Sequence, residues 1–442
     1  MTELPSPQDA MTSFIYGYPL VYDLDEVAGF VQGGGDLPIS APWNTFAYAR
    51  DLLGPETKFV SPNNDTLYVM AMCDVRDNPV SLEVPATGSR YYVLQFVDAW
   101  TNNFAYVGRR ATGTAAGRYL LTAADHAGPV PEGTTVIKAP TGVFSIVGRV
   151  QVDGPDDLAA VRALQDEFRL ASHDPTIVPA GVPVADSAVD DELRWWETFR
   201  VQLAAFPPPA GDAEFLAVCS SLGLTDERTP YADPSPELRA LLVEAERSGR
   251  ETIDALMTGG ADLVNGWREA AHLFDYNLDF FEVGTIDAPE WKIADRTTAY
   301  ATRAVAARAG LWGNHGYEAD YFITAMDADG DQLSGAHTYE LRLETPPPVD
   351  AFWSLTMYDT PDFYLVDNPI DRYSIGDRTP GLVTADDGSI TILLQAESPG
   401  ADLEANWLPA PAGDFRPIMR LYEPGAPVLA GQYELPPIRR TS

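Results

Sequence analysis

The chain has 442 residues, 45% of them hydrophobic and 11% aromatic, with no low-complexity tract. It reads as a globular protein of two to three domains rather than a disordered one. Its formal net charge of −36, from 65 acidic against 29 basic residues, repels phosphate backbones and anionic lipid, so no nucleic acid and no membrane is expected among its partners.

The first segment, from Pro7 to about Val31, spaces its apolar residues as a helix and ends at Gly33-Gly34-Gly35. It has neither the basic start nor the clean apolar run of a signal peptide, and no stretch approaches the roughly 20 apolar residues that span a bilayer. With only Cys73 and Cys219 as cysteines, a reduced, cytoplasmic protein is expected. From about Lys58 to Val150 the pattern becomes short strands between turns, as in "SLEVPATGSRYYVLQFVDAW" and "GTTVIKAPTGVFSIVGRV". Helical spacing returns from about Asp156 to Gly260, where Ser235 and Pro236 read as a helix start, and again at "DRTTAYATRAVAARAGLWG". Strands resume from Tyr321, with turns at Asp329-Gly330 and Asp387-Gly388.

The two strand-rich regions echo one another. "YVLQFVD" at residue 92 matches "WSLTMYD" at 353; Phe104-x-x-Val107 matches Phe363-x-x-Val366; Arg118 matches Arg372; and Gly133 matches Gly388. The offsets, 261, 259, 254 and 255 residues, are nearly constant. The expected fold is therefore mainly β with a helical insert (α+β): two jelly-roll-like β-sandwich domains related by internal duplication. The division is 1–57 as a helical segment, 58–154 as the first β domain, 155–313 as the helical insert and 314–442 as the second β domain.

Several of these stretches carry a family resemblance. "IYGYPL", "SPNNDTLY", "RYYVLQFVDAWTNNFAYVGRRATGTAAGRY" and "APTGVFSIVGR" resemble the N-terminal domain of unknown function numbered 1254. "DADGDQLSGAHTYELRL", "PPPVDAFWSLTMYD", "DDGSITILLQ", "NWLPAPAGDFRPIMRLYEP" and "LPPIRR" resemble its C-terminal partner, numbered 1214. The resemblance implies two β-rich domains in one chain of a bacterial protein, assembled as a homo-oligomer with a trimer favoured over a dimer. It implies no activity, and "LWGNHGYEADYF" departs from the usual pattern.

Two polar clusters at strand ends carry the functional expectation. In "SPNNDTLY", Asn63, Asn64 and Asp65 form a turn into a strand that also bears Tyr68; in "DAWTNN", Asp98, Trp100, Asn102 and Asn103 close another strand. If the clusters meet, Asp65 and Asp98 are the catalytic acid/base pair, and Asn63, Asn64, Tyr68, Trp100, Asn102, Asn103 and Arg109 bind the substrate. The site then belongs to a hydrolase or lyase acting on a polar small molecule, with Arg109 and Arg110 as counter-charges for an anionic one. The alternative is a non-catalytic binding or assembly protein forming a symmetric capsid-like oligomer, with "LETPPPVDAF" and "ELPPIRR" buried between subunits. No metal and no other cofactor is expected. Glu269-x-x-His272, in the expected helix "LVNGWREAAHLFDYN", lacks the second copy a di-iron site needs. "DADGD" fails the calcium-loop pattern at its sixth position, Gln332. Neither a G-x-S-x-G elbow nor a phosphate-binding glycine loop is present.

Overall fold

The computed structural model describes residues 4–34, 38–57, 60–258 and 263–442. Gly35, Lys58 and Gly260, which bounded expected elements, lie outside them. Helix α1 (Pro7–Gln32) starts on a capping box between Ser6 and Asp9, with proline in its first turn, and stops where Gly33 turns left-handed at φ 76°. It is buried on several sides, through Phe14, Tyr16, Tyr18, Leu20 and Leu24. A helix apolar all round belongs at the centre of a bundle.

The first β unit comprises β1 (Ala47–Tyr48), β2 (Thr66–Asp74), β3 (Val80–Val84), β4 (Tyr92–Asp98) and β5 (Asn103–Gly108). It continues with β6 (Gly117–Ala123), β7 (Thr135–Ala139), β8 (Val143–Gln151) and β9 (Arg169–Ser172). They form a five-stranded sheet, β1-β2-β8-β4-β5, and a four-stranded one, β7-β6-β3-β9. Strand β9 follows the short helix α2 (Leu158–Gln165) and pairs with β3, so the unit reaches past residue 154. On β2 the residues alternate: Leu67, Val69, Ala71 and Cys73 enter the core between the sheets, whereas Met70 and Met72 join the helical core.

The helices that enclose α1 are α3 (Arg194–Ala205), α4 (Ala213–Ser221), α5 (Pro236–Thr258) and α6 (Arg296–Gly310). Ser235 caps α5 as expected, and Asp295 caps α6. "LVNGWREAAHLFDYN" is not a helix. Asn265 and Gly266 adopt left-handed φ of 54° and 84°, and Arg268–Glu269 form strand β10. His272 Nδ1 instead lies 2.6 Å from Asp275.

The second β unit adds β11 (Ala319–Ile323), β12 (Tyr339–Leu343), β13 (Val349–Thr356) and β14 (Ser374–Gly376). It ends with β15 (Ile390–Gln395), β16 (Trp407–Pro409), β17 (Ile418–Pro424) and β18 (Arg439–Arg440). Its sheets run β10-β11-β17-β13-β14 and β16-β15-β12-β18. Strand for strand this is the order of the first unit, including one parallel pair in each small sheet, β6–β7 and β15–β16. Of the four landmark pairs in the sequence, only the first falls on strands in matching places, β4 and β13. Phe104 lies in β5, whereas Phe363 lies in the connection 357–373; Arg118 lies in β6, whereas Arg372 precedes β14; Gly133 precedes β7, whereas Gly388 precedes β15. That long connection stands where the first unit has the short turn 99–102, and the extra length shifts every later register.

Helix and strand contribute 27% and 24% of residues, so the chain is mixed rather than mainly β. The helices of the bundle, α1 included, account for the difference.

Candidate functional site

The five-stranded sheets of the two units meet at a seam. Tyr91, Val93 and Tyr106 of the first pack there against Tyr317, Ala319, Phe352 and Tyr422 of the second. The turn at residues 61–65 docks into this seam. Asn63 Oδ1 accepts from the backbone N–H groups of Asp65 and Thr66, the turn bonding expected of asparagine. Its Nδ2 donates to Tyr68 Oη, and Asn64 Nδ2 donates to the Leu53 carbonyl. Asp65 is 3% exposed and saturated by the other unit: Ser354 Oγ donates at 2.6 Å and Arg378 Nη2 at 2.9 Å. Ser61 and Pro62 complete the clasp. Their carbonyls accept from Arg420 and Tyr358, and Ser61 Oγ accepts from Arg416.

Asp98 lies elsewhere. It is level with Phe144 on β8 and hence with Cys73 on β2, eight residues beyond Asp65, which at ~3.3 Å per residue places the two carboxylates about 26 Å apart. They cannot exchange a proton through one substrate. Asp98 holds its own turn, accepting from the N–H groups of Trp100 and Asn102 and from Asn102 Nδ2. Burial pushes its carboxyl up to about 6, against the hydrogen bonds from Asn102 and Trp100 and the charge of Arg303. Trp100 is enclosed by Tyr16 and Tyr300 and donates its indole N–H to the Phe206 carbonyl. Asn102 Oδ1 accepts from Arg303, and Asn103 bridges Gln95 and the Gly313 carbonyl. The proposed substrate-binding set therefore separates. Asn63, Asn64 and Tyr68 stay with Asp65, and Trp100, Asn102 and Asn103 stay with Asp98 against the helices. Arg109 stands apart from both, paired with Glu423.

That last contact marks a second polar centre at the seam. Glu318, 1% exposed just before β11, accepts from Tyr91 Oη at 3.0 Å. Its backbone carbonyl accepts from the N–H of Glu423. Burial pushes the Glu318 carboxyl up to about 7, with the Glu423 charge adding to the rise and Arg110, Tyr91 and Arg149 opposing it. Burial likewise raises Glu423, against Arg109 and Arg110. Glu423 is 3% exposed, sits at a left-handed φ of 49°, and leaves Oε1 without a hydrogen-bond partner among the described residues. A non-glycine residue held there stores strain of order 1–3 kcal/mol, a cost met most often at functional sites. Beside it Arg110 lies over the Tyr317 ring, and Tyr317 Oη meets His315 Nδ1 at 2.8 Å. Burial holds His315 neutral, down to about 3. His315, Tyr317 and Glu318 of this centre lie in the atypical stretch "LWGNHGYEADYF". Its sequence signal is the spacing Glu318-x-x-Tyr321, which repeats Asp65-x-x-Tyr68 at the head of the matching strand.

Comparison with known proteins follows this division. A family model described as a protein of unknown function (DUF1254) matches residues 43–172, and a second of the same description (DUF1214) matches 318–426. The chain joins these two domains. Asp65 and Asp98 lie in the DUF1254 match, and Glu318 and Glu423 in the DUF1214 match. The crystal structure of the VPA0106 protein from Vibrio parahaemolyticus is 26% identical over 99% of this chain and 100% of that one, with a TM-score of 0.75. An uncharacterised protein from Burkholderia cenocepacia is 14% identical, with a TM-score of 0.47 over 97% of this chain and 88% of that one. No curated protein matches the chain.

Proposed function

We propose that the protein is an enzyme of hydrolase or lyase type whose polar small-molecule substrate reacts at the seam, with Glu318 and Glu423 as the proton-transfer pair. The observation that carries this reading is the state of Glu423: a buried carboxylate in a strained conformation, one oxygen unpartnered, its backbone bonded to that of Glu318. A ligand hydroxyl or amine would satisfy that oxygen, and a carboxyl that titrates near neutrality suits acid/base work. Arg109 and Arg110 neutralise charge that develops on the substrate. The test is turnover of an ester, amide and hydroxy-acid panel by wild type, Glu318→Gln and Glu423→Gln. Loss of turnover in both folded variants is expected, and full turnover in both would sink the assignment.

The common strand order of the two units supports an origin by internal duplication, and the paired sheets suit the jelly-roll description. Two glycines in matching places add to this. A Cβ on Gly108 would meet the Tyr92 carbonyl, and one on Gly376 the Trp353 carbonyl, each on the strand alongside.

Assembly as a homo-oligomer is a second reading, favoured by Val178 and Val184, which are 84% and 86% exposed on the segment after β9. The proline-rich segments no longer motivate it, since Leu435 and Ile438 pack into their own chain's core. Light scattering that returns the monomer mass would remove this reading.

A further inference from the structure

We propose that the turn at residues 61–65, with Arg378, Arg416 and Arg420, forms an anion-binding subsite that receives a phosphate or carboxylate group. It stands whether or not Glu318 moves a proton. In a chain of net charge −36, three guanidiniums converge on one buried turn whose own carboxylate is Asp65. Arg378 also meets the half-exposed Asp153 at 3.3 Å and lies within the fields of Asp377 and Asp157, whereas the acid nearest Arg420 is Asp65 itself. Arg420 is 4% exposed and hydrogen-bonds the neutral Thr356 Oγ1 and Ser61 carbonyl, sharing with Arg378 the single buried carboxylate Asp65. Arg416 is bonded to the Ser61 hydroxyl and lies over the Phe363 ring at 3.5 Å. Burial, together with Arg420 nearby, lowers Arg416 to about 10. A buried cation without a counter-ion is costly unless something supplies the charge.

The second observation is unmet hydrogen bonding. Among the described residues, the Nε–H groups of both Arg378 and Arg416 are buried without a partner. Guanidinium N–H groups are matched in geometry to carboxylate and phosphate oxygens. Phe352 beneath Arg378, at 3.6 Å, and Phe363 beneath Arg416 fix the two guanidinium planes in advance of any ligand.

The test is a thermal-unfolding series on the full chain with sodium phosphate, sodium malonate and, at matched ionic strength, sodium chloride. Phosphate also stabilises proteins by exclusion from their surface, so the comparison between variants decides the matter. Wild type should gain melting temperature with phosphate or malonate beyond the chloride control, and whichever acts names the ligand class. Arg416→Gln should lose that gain while its ligand-free melting temperature holds or rises, because the variant removes a partly buried guanidinium that meets no carboxylate among the described residues. Asp65→Asn, which removes the competing carboxylate, should respond more strongly than wild type. Identical behaviour of all three salts on wild type overturns the proposal, as does an undiminished response in Arg416→Gln. Should Arg416→Gln not fold, an Asp65→Asn response no stronger than wild type overturns it instead.

Discussion

The two units present an acidic residue at the same place, Asp65 before β2 and Glu318 before β11, and treat it in opposite ways. Each backbone carbonyl accepts an N–H from the C-terminal end of the central strand, Val152 just past β8 for Asp65 and Glu423 near the end of β17 for Glu318. At the first end that residue is apolar, and the carboxylate is held by a guanidinium and a hydroxyl. At the second it is another carboxylate, and Glu318 accepts from a phenol, Tyr91. The same backbone scaffold thus yields a carboxylate saturated by its donors in one unit and two adjoining carboxyls raised by burial in the other. A carboxylate's role follows from the donors brought to it, not from the turn that carries it.

The largest expected way to break this contrast is Arg378→Ala, which strands Asp65 as a buried charge. Stability should fall by about 3–5 kcal/mol, read as a lower urea midpoint. Next is Glu318→Gln. Because Glu318 binds its proton more tightly folded than unfolded, it contributes stability that is fully present below the unfolded carboxyl range and lost as pH rises through about 7. Between pH 4 and 8 wild type should lose up to about 3 kcal/mol that the glutamine variant keeps, measured as the difference in pH dependence of the urea midpoint. The smallest change is Glu423→Asn, since asparagine tolerates the left-handed backbone and removes the neighbouring charge. The titration of Glu318 should then move down by roughly one pH unit, visible as a smaller stability loss that is complete at lower pH.

Much of the architecture was legible in the chain. Gly33 marks the end of α1; Ser235 and Pro236 open α5; and "YVLQFVD" is β4 residue for residue. Local chemistry decides such features, so local sequence reveals them. Strand β9 was hidden because the residues that make it a strand are its partners on β3. The false helix at 263–277 could have been rejected from its Asn265-Gly266 pair, a turn signal placed inside an apparently periodic run. The turn nature of 61–65 was readable, but its function as a clasp was not. Ser354, Tyr358, Arg378, Arg416 and Arg420 reach it from the far end of the chain, and no spacing rule connects them to it. Asp65 and Asp98 looked like partners because both close polar clusters at strand ends. Only the pairing of β2, β8 and β4 shows that they cap opposite ends of one sheet.

The clasp also sets a timetable for biosynthesis. Its five hydrogen bonds to the second unit join residues 289 to 359 positions apart. At translation speeds of about 5–20 residues per second, the 61–65 turn leaves the ribosome roughly 15–70 s before the groups that complete it. Through that interval a nascent first unit carries Asp65 and the Ser61 and Pro62 carbonyls open to solvent, beside the bare aromatic face of Tyr91 and Tyr106. A chaperone that binds such a surface, and lets go only when β13 to β17 arrive, would meet this chain at its most adhesive moment.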